Sequence, residues 1–265
     1  MRKVSVLVII IVIGVVAWFG RGWFRDLWND WQAPDVPVAV NRSQVVNVNV
    51  NASVNTSVNS TVNNNLNVDI QPEFLPDEIN LDVPFTSQAP HANWDLPYQE
   101  ACEEAAALMV HRYWTDRPFA SKEDADLAIL ELVNFQETNY GFYQDTTGEQ
   151  TARFIRDKWD YQTEVYTGDE VTLDLIKQNV AQGRPVIVLA AGRMLGNPNF
   201  TSPGPIYHAL VVKGYRADGL IITNDPGTRN GADYIYEPDV LMNAIHDWND
   251  GDVENGEKVV IIISN

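Results

Sequence analysis

Three side chains in this sequence are of the types that together carry out nucleophilic catalysis. Cys102 supplies a thiol, in Gln99-Glu100-Ala101-Cys102-Glu103-Glu104-Ala105-Ala106-Ala107-Leu108-Met109-Val110. His208 supplies an imidazole, in Tyr207-His208-Ala209-Leu210-Val211-Val212-Lys213-Gly214-Tyr215, and Asp225 a carboxylate, in Asn224-Asp225-Pro226-Gly227. A thiolate attacks a carbonyl when a base removes its proton, and the base works best when a carboxylate fixes its tautomer and direction. Cys102 is the sole cysteine, so it forms no internal disulfide. It is either an inert core residue or a thiol kept for its reactivity.

The surroundings of each residue bear on that choice. Cys102 lies in the first turn of a predicted helix over 99–114, with Pro97 and Asn93 to Asp95 as start signals upstream. Unsatisfied backbone N–H groups and the positive end of the helix dipole favour thiolate there. Glu103 and Glu104 work the other way, because adjacent negative charge raises a thiol pKa. A histidine partner is therefore required. The runs 208–215 and 220–224 flank Arg216-Ala217-Asp218-Gly219 and read as a hairpin. If Tyr215 pairs with Leu220, His208 falls opposite Gly227 and diagonal to Asp225 on one face, about 7 Å apart at Cα. Turn chemistry alone would also explain Asp225 before Pro226-Gly227. Attack on a carbonyl creates an oxyanion, which a side-chain amide can stabilise. Gln88, in Val83-Pro84-Phe85-Thr86-Ser87-Gln88, is a candidate donor, with a plain polar loop residue as the alternative. Gln99 is nearer in sequence but shares the turn of Cys102 and would point around the helix.

Positioning these groups requires a mixed domain. Apolar spacing and caps predict helices over 99–114, 122–137 (Ser121 as N-cap), 148–159, 172–182 (Gly183 as stop) and 238–248. Strands are predicted at 162–166, 185–190, 208–215, 220–224, 234–236 and 258–263. Helices come first and strands cluster late, so the fold class is α+β and not alternating βαβ. The chain has 265 residues, of which 45% are hydrophobic, enough for one substantial core. Its net charge of -18 excludes a phosphate-backbone binder, since nucleic-acid affinity depends on Lys and Arg. His91, His111 and His246 have no metal-ligand spacing with Cys102, so neither a zinc site nor any cofactor is expected.

The first seventy residues differ in kind. Arg2 and Lys3 precede an apolar run from Val4 to Phe19, and Trp18, Trp23, Trp28 and Trp31 follow closely. As a helix the run spans about 24 Å, and Arg21 with the tryptophans would extend it toward the roughly 30 Å hydrocarbon layer. Residues 1–35 therefore read as an uncleaved membrane anchor and juxtamembrane segment, with the remaining chain outside the cytoplasm at the cell surface. A cleaved signal peptide ending near Val15-Val16-Ala17 is the rival reading. Residues 36–70 are dominated by Val, Asn, Ser and Thr, too simple a composition for a core, and read as a stalk. An edge strand that pairs with a neighbour is the sharper alternative. Asn51-Ala52-Ser53 and Asn55-Thr56-Ser57 fit the glycosylation pattern, meaningful only in a host that glycosylates there. Residues 71–265 form the catalytic domain.

Taken in order, the 83–88 segment, the helix headed by Cys102, the 207–215 strand and Asn224-Asp225-Pro226 resemble the papain-like cysteine peptidases related to bacteriocin leader-processing (double-glycine) peptidases. The resemblance runs from about Leu81 to Asn265. It implies a papain-like fold, in which a helical part with an N-terminal catalytic helix packs on a mainly antiparallel sheet. It also implies Cys102 as nucleophile, His208 as general acid/base, Asp225 as orienter and Gln88 in the oxyanion hole, acting on a peptide or protein substrate. Members often carry Gly-Pro after the cysteine, where this chain has Glu103-Glu104. No further apolar spans and no P-loop accompany the domain, so no transporter is expected. Two other readings stay open: a catalytically silent module that binds peptides or cell-wall polymer, and a cell-wall amidase or transpeptidase with the same nucleophile.

Overall fold

Runs of β-branched residues account for the centre of the molecule. The computed structural model describes residues 35–45 and 75–264. Seven strands form one sheet: β1 (Ile79–Asn80), β2 (Gln162–Thr167), β3 (Val186–Ala191), β4 (Tyr207–Tyr215), β5 (Ile221–Asn224), β6 (Tyr234–Tyr236) and β7 (Val259–Ser264). The order is β2-β7-β3-β4-β5-β6, with β1 also paired to β4, and every strand pairing is antiparallel. β3 and β4 are buried along their whole length. That suits near-continuous runs of Val, Ile, Leu and Ala. The edge strand β2 mixes exposed and half-buried positions and carries Gln162, Glu164 and Thr167 toward water.

Among the described residues the main helices beside this sheet are α1 (Cys102–Trp114), α2 (Lys122–Tyr140), α3 (Gly148–Trp159), α4 (Leu173–Ala181) and α5 (Pro238–Ala244). Their boundaries follow from capping. Ser121 accepts from Asp124 N–H and starts α2, Thr147 and Gln150 form a reciprocal capping box for α3, and Thr172 caps α4. α1 packs against β4 and α2, and α4 against β3 and β4. Two predicted helices are shorter than expected. The 99–114 helix is interrupted: Tyr98–Glu100 is a 3-10 turn, Ala101 leaves helical geometry, and α1 begins at Cys102 itself. The 238–248 helix stops at Ala244, because Ile245 bridges Ala190 and His246 N–H donates to the Leu189 carbonyl.

Residues 36–45, expected as the start of the stalk, pack on the domain. Val40 forms a parallel bridge with Leu81, with Val40 N–H donating to Asn80 O at 2.7 Å and Asp82 N–H to Val40 O at 2.9 Å. Val45 is buried beside Tyr113 and Gly183, and Val36–Asn265 is one compact unit. The rest of the expected stalk and, apart from Asp35, the expected anchor lie outside the described residues. Among the described residues no helix is long and apolar enough to cross a membrane.

Candidate active site

Hairpin geometry brings His208 to Asp225, by a route that sequence patterning did not give. At the turn end, Tyr215 pairs with Ile221 and not with Leu220. A β-bulge between Val212 and Gly214 then inserts Lys213 as an extra residue on β4, so that Val212 faces Thr223 and Val211 faces Asn224. The one-residue offset is thereby cancelled before the strand reaches His208. Gly227 does lie against the histidine: a Cβ there would come within 2.8 Å of His208 Cε1 and of Phe200 Cε1. Lys213, buried by the bulge, donates to Asp233 Oδ1 at 2.7 Å.

His208 and Asp225 are 1% and 0% exposed, and Nε2 of the ring lies 2.7 Å from Asp225 Oδ1. The carboxylate is fully engaged. Oδ1 also accepts from Gly227 N–H at 3.0 Å, while Oδ2 accepts from Tyr236 O–H at 2.6 Å and Asn197 Nδ2 at 3.0 Å. Burial alone would raise this carboxyl's pKa, but the imidazole and the Tyr236 and Gly227 donors outweigh burial and hold it below the usual range. An ionised Asp225 fixes the proton on Nε2 and leaves Nδ1 as the ring's free acceptor. Phe200 closes the histidine edge-to-face, with centroids 5.3 Å apart. Asn197, Phe200 and Tyr236 carry no sequence signal of this role. Gly196-Asn197-Pro198 reads only as a turn, and Tyr234-Ile235-Tyr236 only as a short strand.

Cys102 heads α1 and is 6% exposed. Its sulfur lies at β4, where the Ala209 backbone N–H beside His208 favours the thiolate. The first helical hydrogen bond runs from Ala105 N–H to Ala101 O, so the N–H groups of Cys102, Glu103 and Glu104 have no carbonyl acceptor within the helix, and those of Glu103 and Glu104 meet their own carboxyl groups. The thiol itself points elsewhere: Sγ donates to Glu103 Oε2 at 3.0 Å, and among the described residues no hydrogen bond joins it to His208. Burial, the charge of Glu103 and this hydrogen bond all push the thiol well above its ordinary pKa, against the Ala209 N–H. The opposition expected from Glu103 is thus a direct contact, where the sequence indicated only proximity.

Gln88 is buried against the 3-10 turn that precedes Cys102. Its backbone N–H and the Ser87 hydroxyl both donate to Pro226 O, and Asn224 Nδ2 donates to Val83 O at 2.9 Å. These bonds run the 83–88 segment alongside 224–226. Both hydrogens of the Gln88 amide are taken, by Tyr98 O at 2.9 Å and Gln99 O at 3.1 Å, and its Oε1 is buried without a protein partner. In this arrangement Gln88 braces the turn that leads into Cys102, and neither hydrogen is left for an oxyanion. Gln99 turns away to Glu100. His111 stacks on Trp159 and meets Tyr161 O–H, and His246 meets Gly256 O, so neither joins the site. Among the described residues no cluster of three or more His, Cys, Asp or Glu could hold a metal ion.

The family model described as "Peptidase_C39 like family" matches residues 80–250, well over half of the chain, a span within which Gln88, Cys102, His208 and Asp225 fall. No curated protein matches. Among solved structures, a C39-like peptidase from Bacillus anthracis is 14% identical, with a TM-score of 0.43, over 71% of this chain and 98% of that one. A prointerpain A fragment from Prevotella intermedia is 13% identical, with a TM-score of 0.47, over 82% and 80%. With its mixed helices and antiparallel sheet, its N-terminal helix headed by the lone thiol and its matched segment, this chain belongs to the Peptidase_C39-like family and has the papain-like cysteine peptidase fold.

Proposed function

We propose that this protein is a membrane-anchored cysteine peptidase that hydrolyses peptide bonds outside the cytoplasm through Cys102, His208 and Asp225. The observation that carries the reading is the buried pair of His208 on β4 and Asp225 just after β5, the ring's Nδ1 left as acceptor, beside the Ala209 N–H at which the Cys102 sulfur lies. A carboxylate with four donors is held too firmly to leave the ring, so it fixes tautomer and direction. His208 Nδ1 takes the Cys102 proton, and the thiolate attacks the substrate carbonyl. The free Cys102 N–H at the helix mouth faces the developing oxyanion, joined by Gln88 once one of its hydrogens leaves its carbonyl. His208 then protonates the leaving amine, and water activated by the same ring hydrolyses the thioester. Anchoring rests on the apolar 4–19 run with its flanking Arg2, Lys3 and tryptophans. External protease applied to intact cells tests this placement: digestion before lysis supports it, and survival until lysis refutes it.

A second reading, a catalytically silent module for peptides or wall polymer, is favoured by the thiol's hydrogen bond to Glu103 in place of His208. An amidase or transpeptidase acting on the wall would use the same nucleophile. Incubating the full chain with peptide libraries and with purified wall fragments separates the three. Peptide cleavage that disappears in Cys102→Ala supports the peptidase, cleavage confined to wall fragments favours the amidase, and binding without cleavage favours the silent module.

A further inference from the structure

The residue after the nucleophile sits in a socket that determines where its proton can be. Glu103 is 1% exposed. Its Oε1 accepts from Thr146 N–H at 3.0 Å and from Thr146 Oγ1 at 3.3 Å, and the latter hydroxyl is also 2.8 Å from Thr151 Oγ1. Its Oε2 meets Cys102 Sγ at 3.0 Å. With Oε1 committed to the Thr146 donors, any proton on this carboxyl must sit on Oε2, directed at the sulfur. The carboxylate and the acid therefore do opposite things. As carboxylate, Glu103 accepts the S–H and holds Cys102 as thiol. As acid, its O–H donates to sulfur and stabilises the thiolate.

We propose that Glu103 is a catalytic residue of this site, whose acid form releases the Cys102 proton to His208 and then hydrogen-bonds the thiolate. The inference rests on the peptidase reading for its consequence but concerns the thiol itself. The proton balance is simple. Glu103 takes one proton from solvent, the Cys102 proton passes to His208 Nδ1, and the pair becomes thiolate and imidazolium beside a neutral carboxyl; no bond to carbon changes and no electron is transferred.

The groups around Glu103 favour the acid form. Cys102 and Glu104 flank it on α1, and Asp145 faces it from the segment before α3. Glu100, on the preceding 3-10 turn, acts on Glu104 and Asp145, and β4 contributes Tyr207. Tyr207 O–H meets Asp247 Oδ1 at 3.2 Å and Thr146 O at 2.9 Å, which links the pocket to the segment after α5. None of these is a lysine or arginine. Burial, with the charge of Asp145, raises the Glu103 carboxyl to about 7, against the stabilising hydrogen bonds from Cys102, from its own backbone N–H and from Thr146. Its titration thus falls where a small fall in pH changes its state.

Alkylation of Cys102 by iodoacetamide, followed on the full chain from pH 5 to pH 9 and divided by the rate of free cysteine at each pH, reads this directly. Wild type is expected to show a normalised rate that rises on the acid side of a transition near neutrality. Glu103→Gln keeps an acceptor for Thr146 and presents an N–H to sulfur, so it imitates the acid form. It should lose the transition and alkylate about tenfold or more faster than wild type at pH 8, as expected when a like charge leaves a buried thiol. His208→Ala should be slow throughout. A wild-type profile with one thiol ionisation and no transition near neutrality overturns the proposal without any variant, as does a Glu103→Gln protein that alkylates no faster than wild type. If the profiles behave as expected and no peptide is cleaved at any pH, the role of Glu103 stands and the peptidase reading fails.

Discussion

Asp225→Asn tests how the histidine is held, because the change is isosteric and every group it disturbs is identified. Each oxygen of Asp225 accepts two hydrogen bonds, Oδ1 from His208 and Gly227, Oδ2 from Tyr236 and Asn197. The asparagine amide must place its NH2 on one side or the other. Facing His208, it forces Nε2 to accept, so the ring proton moves to Nδ1, the atom required as base, and Gly227 N–H loses its acceptor. Facing Tyr236, it lets the phenol turn and accept, but the Asn197 Nδ2 hydrogen aimed at Oδ2 loses its acceptor and only the one on the Tyr236 oxygen keeps its own. One buried donor is orphaned either way, at a cost of about 1–3 kcal/mol. For a unit of this size that lowers Tm by about 2–12 °C. In the second arrangement the tautomer survives but the charge that stabilises the imidazolium is gone. In the first the base is lost, a change that reduces turnover by about 10⁴ in serine proteases. Turnover of the best library peptide should therefore fall at least a hundredfold, though less than in His208→Ala. Differential scanning fluorimetry and single-substrate kinetics on the two variants decide it. An Asp225→Asn protein within threefold of wild-type kcat and within 1 °C of its Tm would refute the network's role, and equal losses in the two variants would make Asp225 structural.

Three further outcomes follow from the packing. Gly227→Ala puts a methyl 2.8 Å from both His208 Cε1 and Phe200 Cε1, closer than Cβ atoms approach, so the ring must shift; activity should fall at least tenfold while far-UV circular dichroism is unchanged, and unaltered kinetics would contradict the contact. Tyr236→Phe removes one donor from Asp225 Oδ2 and the hydroxyl that accepts from Asn197 Nδ2, whose other hydrogen stays on Oδ2; a stability loss of about 1–2 kcal/mol by urea denaturation is expected, and no loss would mean the phenol is not bonded there. Folded Glu103 titrates at about 7, against about 4.3 for an unfolded glutamate, so the folded chain holds an extra proton between those values. Its contribution is present below about pH 4.3 and is lost as pH rises through about 7. His111, held down to about 4 first by burial and then by Arg112, works in the opposite sense between about 4 and 6.5. Glu103→Gln should therefore be relatively more stable, against wild type, at pH 7.5 than at pH 5, and an offset that does not change with pH would count against a buried titrating Glu103.

Much of this fold is legible from periodicity and caps, because both act over a few residues. Ser121, Thr172 and Pro238 mark helix starts that the structure has, and the buried strands announce themselves as apolar runs. The break at Ala101 does not, since it arises from the 3-10 turn that Gln88 braces from a distant loop. The hairpin register read from the sequence is wrong at the turn and right at His208 and Asp225, because the bulge at Lys213 absorbs one residue. A bulge that buries a lysine against Asp233 leaves no local pattern to read. Asn197, Phe200 and Tyr236 come from three separate segments and meet only through tertiary packing. The sequence places the charge of Glu103 beside the thiol, but its hydrogen bond to sulfur and the Thr146 donors that orient it depend on tertiary packing.

Trapping the acyl-enzyme examines the nucleophile most directly. A cleavable peptide mixed with the full chain and quenched in acid within the first turnover should leave its acyl half on the tryptic fragment containing Cys102, detected as the added mass. The adduct should be absent in Cys102→Ala, which keeps its fold because alanine is well tolerated in a helix. Peptide cleavage with no mass added at Cys102, persisting in Cys102→Ala, would contradict the assignment of this thiol as the nucleophile.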